Sequence, residues 1–119
     1  MFQKGSFTIP SDSSGIYLVR VIQARRTSMR RHAVITKFLR VVIRRTKPVL
    51  RRRRKKKMRA IVIRTQAYNF KRGGVSYTFF DNALVLLKRR MNTLGKELYG
   101  PTALSLRIRK FRIAFQYIF

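Results

Sequence analysis

The sequence predicts a mainly β protein, a small barrel or sandwich. Three observations lead there. Short apolar runs rich in β-branched and aromatic residues recur through the first ninety residues; turn dipeptides or charged connectors separate them; and a helical repeat emerges only beyond Pro101.

Taken in order, residues 17–22 alternate Tyr17, Val19 and Val21 against Leu18, Arg20 and Ile22, the period of a half-buried strand. Residues 34–43 form a second such segment and residues 60–65 a third. Residues 75–80 and 83–87 are two more, split by the turn dipeptide Asp81-Asn82. After Leu87 the character changes. Lys88-Arg89-Arg90 leads to Gly95 and then to Tyr99-Gly100-Pro101, where the proline suits the first turn of a helix. Leu104, Ile108, Phe111, Phe115 and Ile118 then recur at spacings of four, three, four and three, one helical stripe, which predicts a helix over 102–116. Phe111, Ile113, Phe115, Tyr117 and Phe119 also alternate as a strand would, but that pattern slips at Lys110. No internal repeat and no Gly/Ser linker interrupts the chain, so residues 1–119 are expected to form one domain, with β structure to about residue 90 and a helical part over about 91–119.

Charge is the anomaly. The chain has 119 residues and an ordinary apolar fraction of 45%, so it should fold, yet 30 Lys and Arg face only Asp12, Asp81 and Glu97, a formal net charge of +27. Internal pairing cannot neutralise that excess. A polyphosphate surface relieves the self-repulsion and gains the entropy of released counterions, so nucleic acid is the expected partner. Anionic lipid is the competing polyanion, but the cations spread along the whole chain and no apolar run nears the roughly 20 residues of a membrane helix, so no membrane partner is expected. The absence of cysteine excludes disulfides and thiolate metal sites. The first residues carry neither the apolar stretch of a secretory signal nor a transit-peptide pattern.

The connectors concentrate the cations. Arg25, Arg26, Arg30 and Arg31 lie between the first two strands; Arg44, Arg45 and Lys47 follow the second and lead into the unbroken run Arg51, Arg52, Arg53, Arg54, Lys55, Lys56 and Lys57; Lys71 and Arg72 precede Gly73-Gly74. A basic run with a strand on each side is tethered at both ends and is neither a free tail nor a nuclear address. These residues, with Arg64 at the end of the third strand, are the candidate phosphate-binding set, Arg being favoured where bidentate contact matters.

Catalytic chemistry has little to work with. His32 is the sole imidazole and sits beside Arg30 and Arg31, where positive charge opposes a second proton. Asp12 and Asp81 occupy turns, where short acids bond nearby backbone, and Glu97 can answer a neighbouring cation. No ligands are clustered for a metal, and no cofactor is implied. Phe79 or Phe80 is expected in the core, whereas Tyr68 and Phe70 are candidate stacking platforms for bases.

Four stretches resemble one family in register. Ser11-Asp12-Ser13-Ser14-Gly15 resembles its Ala-Asp-Asn-Ser-Gly turn; Ala60-Ile61-Val62-Ile63-Arg64-Thr65 its Ala-Val-Val-Val-Arg-Thr strand; Phe80-Asp81-Asn82-Ala83 with Val85-Leu86-Leu87 its Phe-Asp-x-Asn-Ala-x-Val-Leu-Leu, one residue shorter; and Gly95 followed by Tyr99-Gly100-Pro101, Leu106-Arg107 and Lys110-Phe111 its Gly-x-x-x-Phe-Gly-Pro and Glu-Leu-Arg-x-x-Lys-Phe. The chain thus resembles the universal large-subunit ribosomal protein family numbered fourteen, bacterial and organellar type. The resemblance implies a five-stranded β-barrel with short C-terminal helices, seated on large-subunit ribosomal RNA at the subunit interface. It also implies contact with the large-subunit protein numbered nineteen, an intersubunit bridge to small-subunit RNA, and no enzymatic activity. Lys96, Glu97, Arg107 and Lys110 are the implied protein-contact and interface residues.

The chain departs from the family pattern in three places. Ile16, Tyr17 and Leu18 stand where cations usually follow the turn glycine; Lys55-Lys56-Lys57-Met58 replaces Lys-Lys-Gly-Asp; and Lys96-Glu97 replaces a Thr-Arg pair. The near-loss of acids, with the family-like start falling close to Met1, leads to the expectation of a mitochondrial ribosomal protein made inside the organelle. The competing expectation is a free oligonucleotide-binding barrel protein acting outside the ribosome.

Overall fold

Among the described residues of the computed structural model, which are 2–24, 32–49, 56–106 and 115, nine strands form three antiparallel sheets. They are β1 (Phe2–Gln3), β2 (Phe7–Thr8), β3 (Ile16–Ala24), β4 (His32–Ala33), β5 (Phe38–Thr46), β6 (Lys57–Arg64), β7 (Asn69–Phe70), β8 (Ser76–Tyr77) and β9 (Ala83–Leu87). The main sheet has the order β2-β3-β5-β6-β9, while β1 pairs with β4 and β7 with β8. Beyond β2 the chain bends across to the far side of this sheet. Pro10 makes a parallel bridge to Leu84, and Ser11 N donates to Leu84 O at 2.9 Å, so the segment that leaves one edge strand meets the other.

Burial explains why the strands read so differently in the sequence. The outer faces of β3 and β5 are wet: Val19, Val21, Leu39, Val41 and Ile43 point inward while Arg20, Arg40 and Arg44 point outward, and the alternation is legible. β6 and β9 are covered on both sides. Ala60, Val62, Leu84 and Leu86 enter one core, with Val19, Val21 and Val41; Ile61, Ile63, Ala83, Val85 and Leu87 enter a second, closed by Leu98, Leu106 and Phe115. A strand buried on both faces becomes a continuous apolar run, as 60–63 and 83–87 are.

Several expectations shift. Tyr17 is 53% exposed while Val19 and Val21 are buried, because Tyr17 is the extra residue of a bulge in β3, between Ile16 opposite Thr46 and Leu18 opposite Arg45, where the regular alternation is interrupted. The segment 34–43 begins with a turn, in which Lys37 N donates to Val34 O, and its strand runs on through Thr46, so Arg44 and Arg45 are strand residues and not connector. β6 likewise starts at Lys57. Residues 75–80 supply only β8, half of a small hairpin with β7. Phe80 is fully exposed, and Phe79 is half-buried with its ring edge-on to Tyr77 at 5.9 Å, so neither is in the core.

The C-terminal helix is not found over 102–106; the rest of the expected stripe, apart from Phe115, lies outside the described residues. The only helical feature among the described residues of this part is a 3-10 turn at Arg89–Met91. Thr102 Oγ1 donates to Ile63 O at 3.2 Å, Leu106 N donates to Ala103 O, and Thr102, Ala103 and Leu106 are all buried while Leu104 is 60% exposed. Side-chain and carbonyl ties to β6 hold this segment against the sheet, and they override a periodicity that had put Leu104 inside.

Candidate RNA interface

The scaffold that holds the cations is itself organised around a buried one. Arg64, at the end of β6, is 5% exposed. Its Nε donates to Asp81 Oδ1 at 2.9 Å, one terminal nitrogen donates to Asp81 Oδ2 at 3.1 Å and Ser11 Oγ at 3.0 Å, and the other donates to the carbonyls of Tyr99 at 2.8 Å and Pro101 at 3.0 Å. A guanidinium has five N–H donors, and all five are engaged. Arg64 therefore leaves the expected phosphate-binding set, because nothing remains on it to offer a phosphate. Its position needs Gly100, whose φ is +78° and where a Cβ would fall 2.5 Å from the guanidinium.

All four family-like stretches converge on this knot. Asp12 is buried; its Oδ1 accepts from Ser14 N and Ser14 Oγ, and its Oδ2 accepts from Leu86 N at 3.2 Å, clamping the Ser11–Gly15 turn to β9. The same turn pairs with the C-terminal stretch: Ser13 N donates to Glu97 O, Glu97 N donates to Ser13 Oγ, and Tyr99 N donates to Ser11 O, each at 3.0 Å. Gly95 lies so close that a Cβ there would meet Ser13 N at 2.8 Å and Ser14 N at 2.9 Å. Asn82 Oδ1 accepts from Gln66 N, and Asn69 Nδ2 donates to Thr65 Oγ1, which ties the β7–β8 hairpin to the end of β6. These residue patterns are thus explained by packing.

Outside the knot the described cations are free of acids. The Arg64–Asp81 ion pair is the only one among the described residues. Of the expected set, Arg44, Arg45, Lys47, Lys56, Lys57, Lys71 and Arg72 are exposed, as are Lys96 and Glu97. Arg44 and Arg45 extend from the end of β5, Lys56 and Lys57 open β6, and Lys71 and Arg72 occupy the tip of the β7–β8 hairpin, where Lys71 Nζ lies 5.1 Å from the centre of the Tyr77 ring. The first two are neighbours, because Val42 pairs with Lys57 and Ile43 N donates to Lys56 O at 3.2 Å, so the end of β5 and the start of β6 form one group and the hairpin tip another. Arg25, Arg26, Arg30, Arg31, Arg51, Arg52, Arg53, Arg54, Lys55, Arg107 and Lys110 lie outside the described residues.

Sequence reasoning confined to connectors missed the cations set within strands. Arg20, Arg40 and Arg59 are exposed, and Arg40 stands directly opposite Arg59 across the β5–β6 ladder. Like charges in direct cross-strand register oppose each other. Arg20 lies over the Phe7 ring, 5.6 Å from its centre. The signal was present as alternation, each of these arginines sitting between inward-facing residues in Val19-Arg20-Val21, Leu39-Arg40-Val41 and Met58-Arg59-Ala60. Lys88 and Arg90, in the turn after β9, are exposed too. Tyr68 and Phe70, the candidate stacking residues, are 71% and 81% exposed beside the hairpin cations.

The chain belongs to the ribosomal protein family L14p/L23e, which it matches over residues 1–116, and so is a structural component of the ribosome and not an enzyme. It is similar to the large ribosomal subunit protein uL14m of Tetrahymena pyriformis, at 32% identity over 115 residues covering 97% of each chain.

Proposed function

We propose that the protein is a constituent of the mitochondrial large ribosomal subunit, that it binds large-subunit RNA through its exposed strand and loop cations, and that it contributes to the subunit interface. The observation that carries the reading is the outward face of the β5–β6 pair, where Arg40 and Arg59 stand side by side without an acid. A free protein gains nothing from that arrangement, whereas a phosphate between the two offsets their repulsion. The Pro10–Leu84 bridge supports a sheet that works as a closed five-stranded barrel, presenting cations around its circumference. Similarity to uL14m and the scarcity of acids support the mitochondrial assignment. Contact with protein nineteen and a bridge to small-subunit RNA, with Lys96, Glu97, Arg107 and Lys110 at the protein contacts, complete the proposal.

The test is binding of the full chain to large-subunit RNA fragments across a salt series. If eight cations engage phosphates, the logarithm of affinity falls against the logarithm of salt with a slope of about −6 to −7. A slope near zero overturns the reading. Sedimentation of the chain with the large subunit in moderate salt is the second expected result.

A further inference from the structure

Where β6 begins, the surface opens into a groove of about 790 Å³, a size at which binding sites hold small molecules. One wall is the start of β6, with Lys57 and Arg59; the other is the turn after β9, with Lys88 and Arg90. The floor is apolar, made by Met58, Leu87 and Leu94, and no acid lines it. Met58 and Leu94 rest on the buried core formed by Val19, Val41 and Leu86, while Leu87 belongs to the second core.

The second wall is built to hold its shape. Lys88 N donates to Asn92 O at 2.7 Å, Leu87 bridges to Thr93, and Leu94 N donates to Leu86 O at 2.9 Å, closing a tight reversal against β9. Inside it Arg90 and Met91 adopt φ of 59° and 61°, a left-handed conformation uncommon for residues with side chains. Arg59 reaches across to Met91, its terminal nitrogen 3.9 Å from the sulfur.

Cationic walls over an apolar floor fit one kind of RNA element better than another. A duplex presents phosphate and sugar and keeps its bases stacked, which leaves the floor without a partner. An unpaired nucleotide offers phosphates to the walls and an apolar base face for burial against the floor. We propose that the groove takes one unpaired nucleotide of an RNA strand, its flanking phosphates on Lys57, Lys88 and Arg90 and its base on Met58 and Leu94. This rests on RNA being the partner, and it adds which structural element of RNA this surface selects.

The test uses the full chain and two probes, an RNA stem with a single bulged 2-aminopurine and the same stem fully paired. The bulged stem binds about tenfold tighter, the order expected from removing one base face from water against apolar side chains, and its fluorescence changes on binding. Lys88→Gln with Arg90→Gln, both exposed, reduces that preference. Lys71→Gln with Arg72→Gln, an equal loss of charge on the hairpin, weakens both probes alike and keeps it. Equal, salt-dependent binding of the two stems overturns the groove proposal and leaves the RNA reading standing, as does a preference that both double variants change equally. Failure of both stems to bind at low salt overturns both.

Discussion

Arg64→Lys keeps the net charge and removes only the shape of the cation, which makes it the sharpest probe of how the scaffold is held. The guanidinium makes five hydrogen bonds to five acceptors on three separate segments. An ammonium has three donors, so at least two bonds are lost, and a single point cannot reach acceptors spread around a planar fork. Hydrogen bonds to a charged group contribute about 1.5–3 kcal/mol each. Asp81 is 57% exposed and recovers water when abandoned, whereas the carbonyls of Tyr99 and Pro101 depend on Arg64 to hold the C-terminal stretch in place. The expected loss is therefore about 2–4 kcal/mol, below the simple sum. For a domain of this size it corresponds to a fall of about 10 °C in melting temperature, read by circular dichroism of the full chain. The slope of RNA affinity against salt should not change. A melting temperature within a degree or two of the parent, or a flattened salt slope, would refute the assignment of Arg64 to the interior.

Gly95→Ala should destabilise by an amount comparable to overpacking a core, about 1–3 kcal/mol, because the new Cβ meets backbone nitrogens of Ser13 and Ser14 that cannot swing aside; denaturant midpoints read this. Arg59→Glu should stabilise the free chain by about 0.2–1 kcal/mol, by replacing a like-charge pair with Arg40 by an attractive one, while weakening RNA binding and reducing the magnitude of the salt slope by about one. Opposite signs for stability and affinity are the test. Leu84→Ala, at a fully buried site between β6 and the Pro10 bridge, should cost about 2–5 kcal/mol in urea unfolding. Phe80→Ala should leave stability within about 0.5 kcal/mol, since the ring is fully exposed in the free chain.

The main strands were legible wherever a physical asymmetry left a period. β3 and β5 alternate because one face is wet, and β9 is recognisable as an unbroken apolar run between a turn and a basic stretch. β2 went unseen, since two residues, Phe7 and Thr8, carry no period at all and exist as a strand only through their pairing with Arg20 and Val19. The exposed arginines within strands were visible as letters, but their alignment was not. That Arg40 faces Arg59 follows from the β5–β6 register, which joins residues nineteen positions apart. Over 102–106 the expected helix is absent for the opposite reason. The stripe put its first member, Leu104, inside, but there the hydrogen bond of Thr102 to Ile63 and the hold of Arg64 on Pro101 outweigh a helical preference of a few tenths of a kcal/mol per residue.

What the sequence determined by itself was the scaffold class and the charge for which a partner must compensate. Net charge is a sum over residues and needs no geometry, and apolar periodicity is a local property of strands. Tertiary structure alone decided which cations face outward and which is consumed inside. Arg64 and Arg59 are the same side chain five positions apart on one strand, yet one is surrounded by Asp81, Ser11 and two carbonyls from distant segments and the other stands against a second arginine in solvent. A side chain's role depends on the acceptors brought within about 3 Å of it, and in this fold those acceptors come from the far ends of the chain.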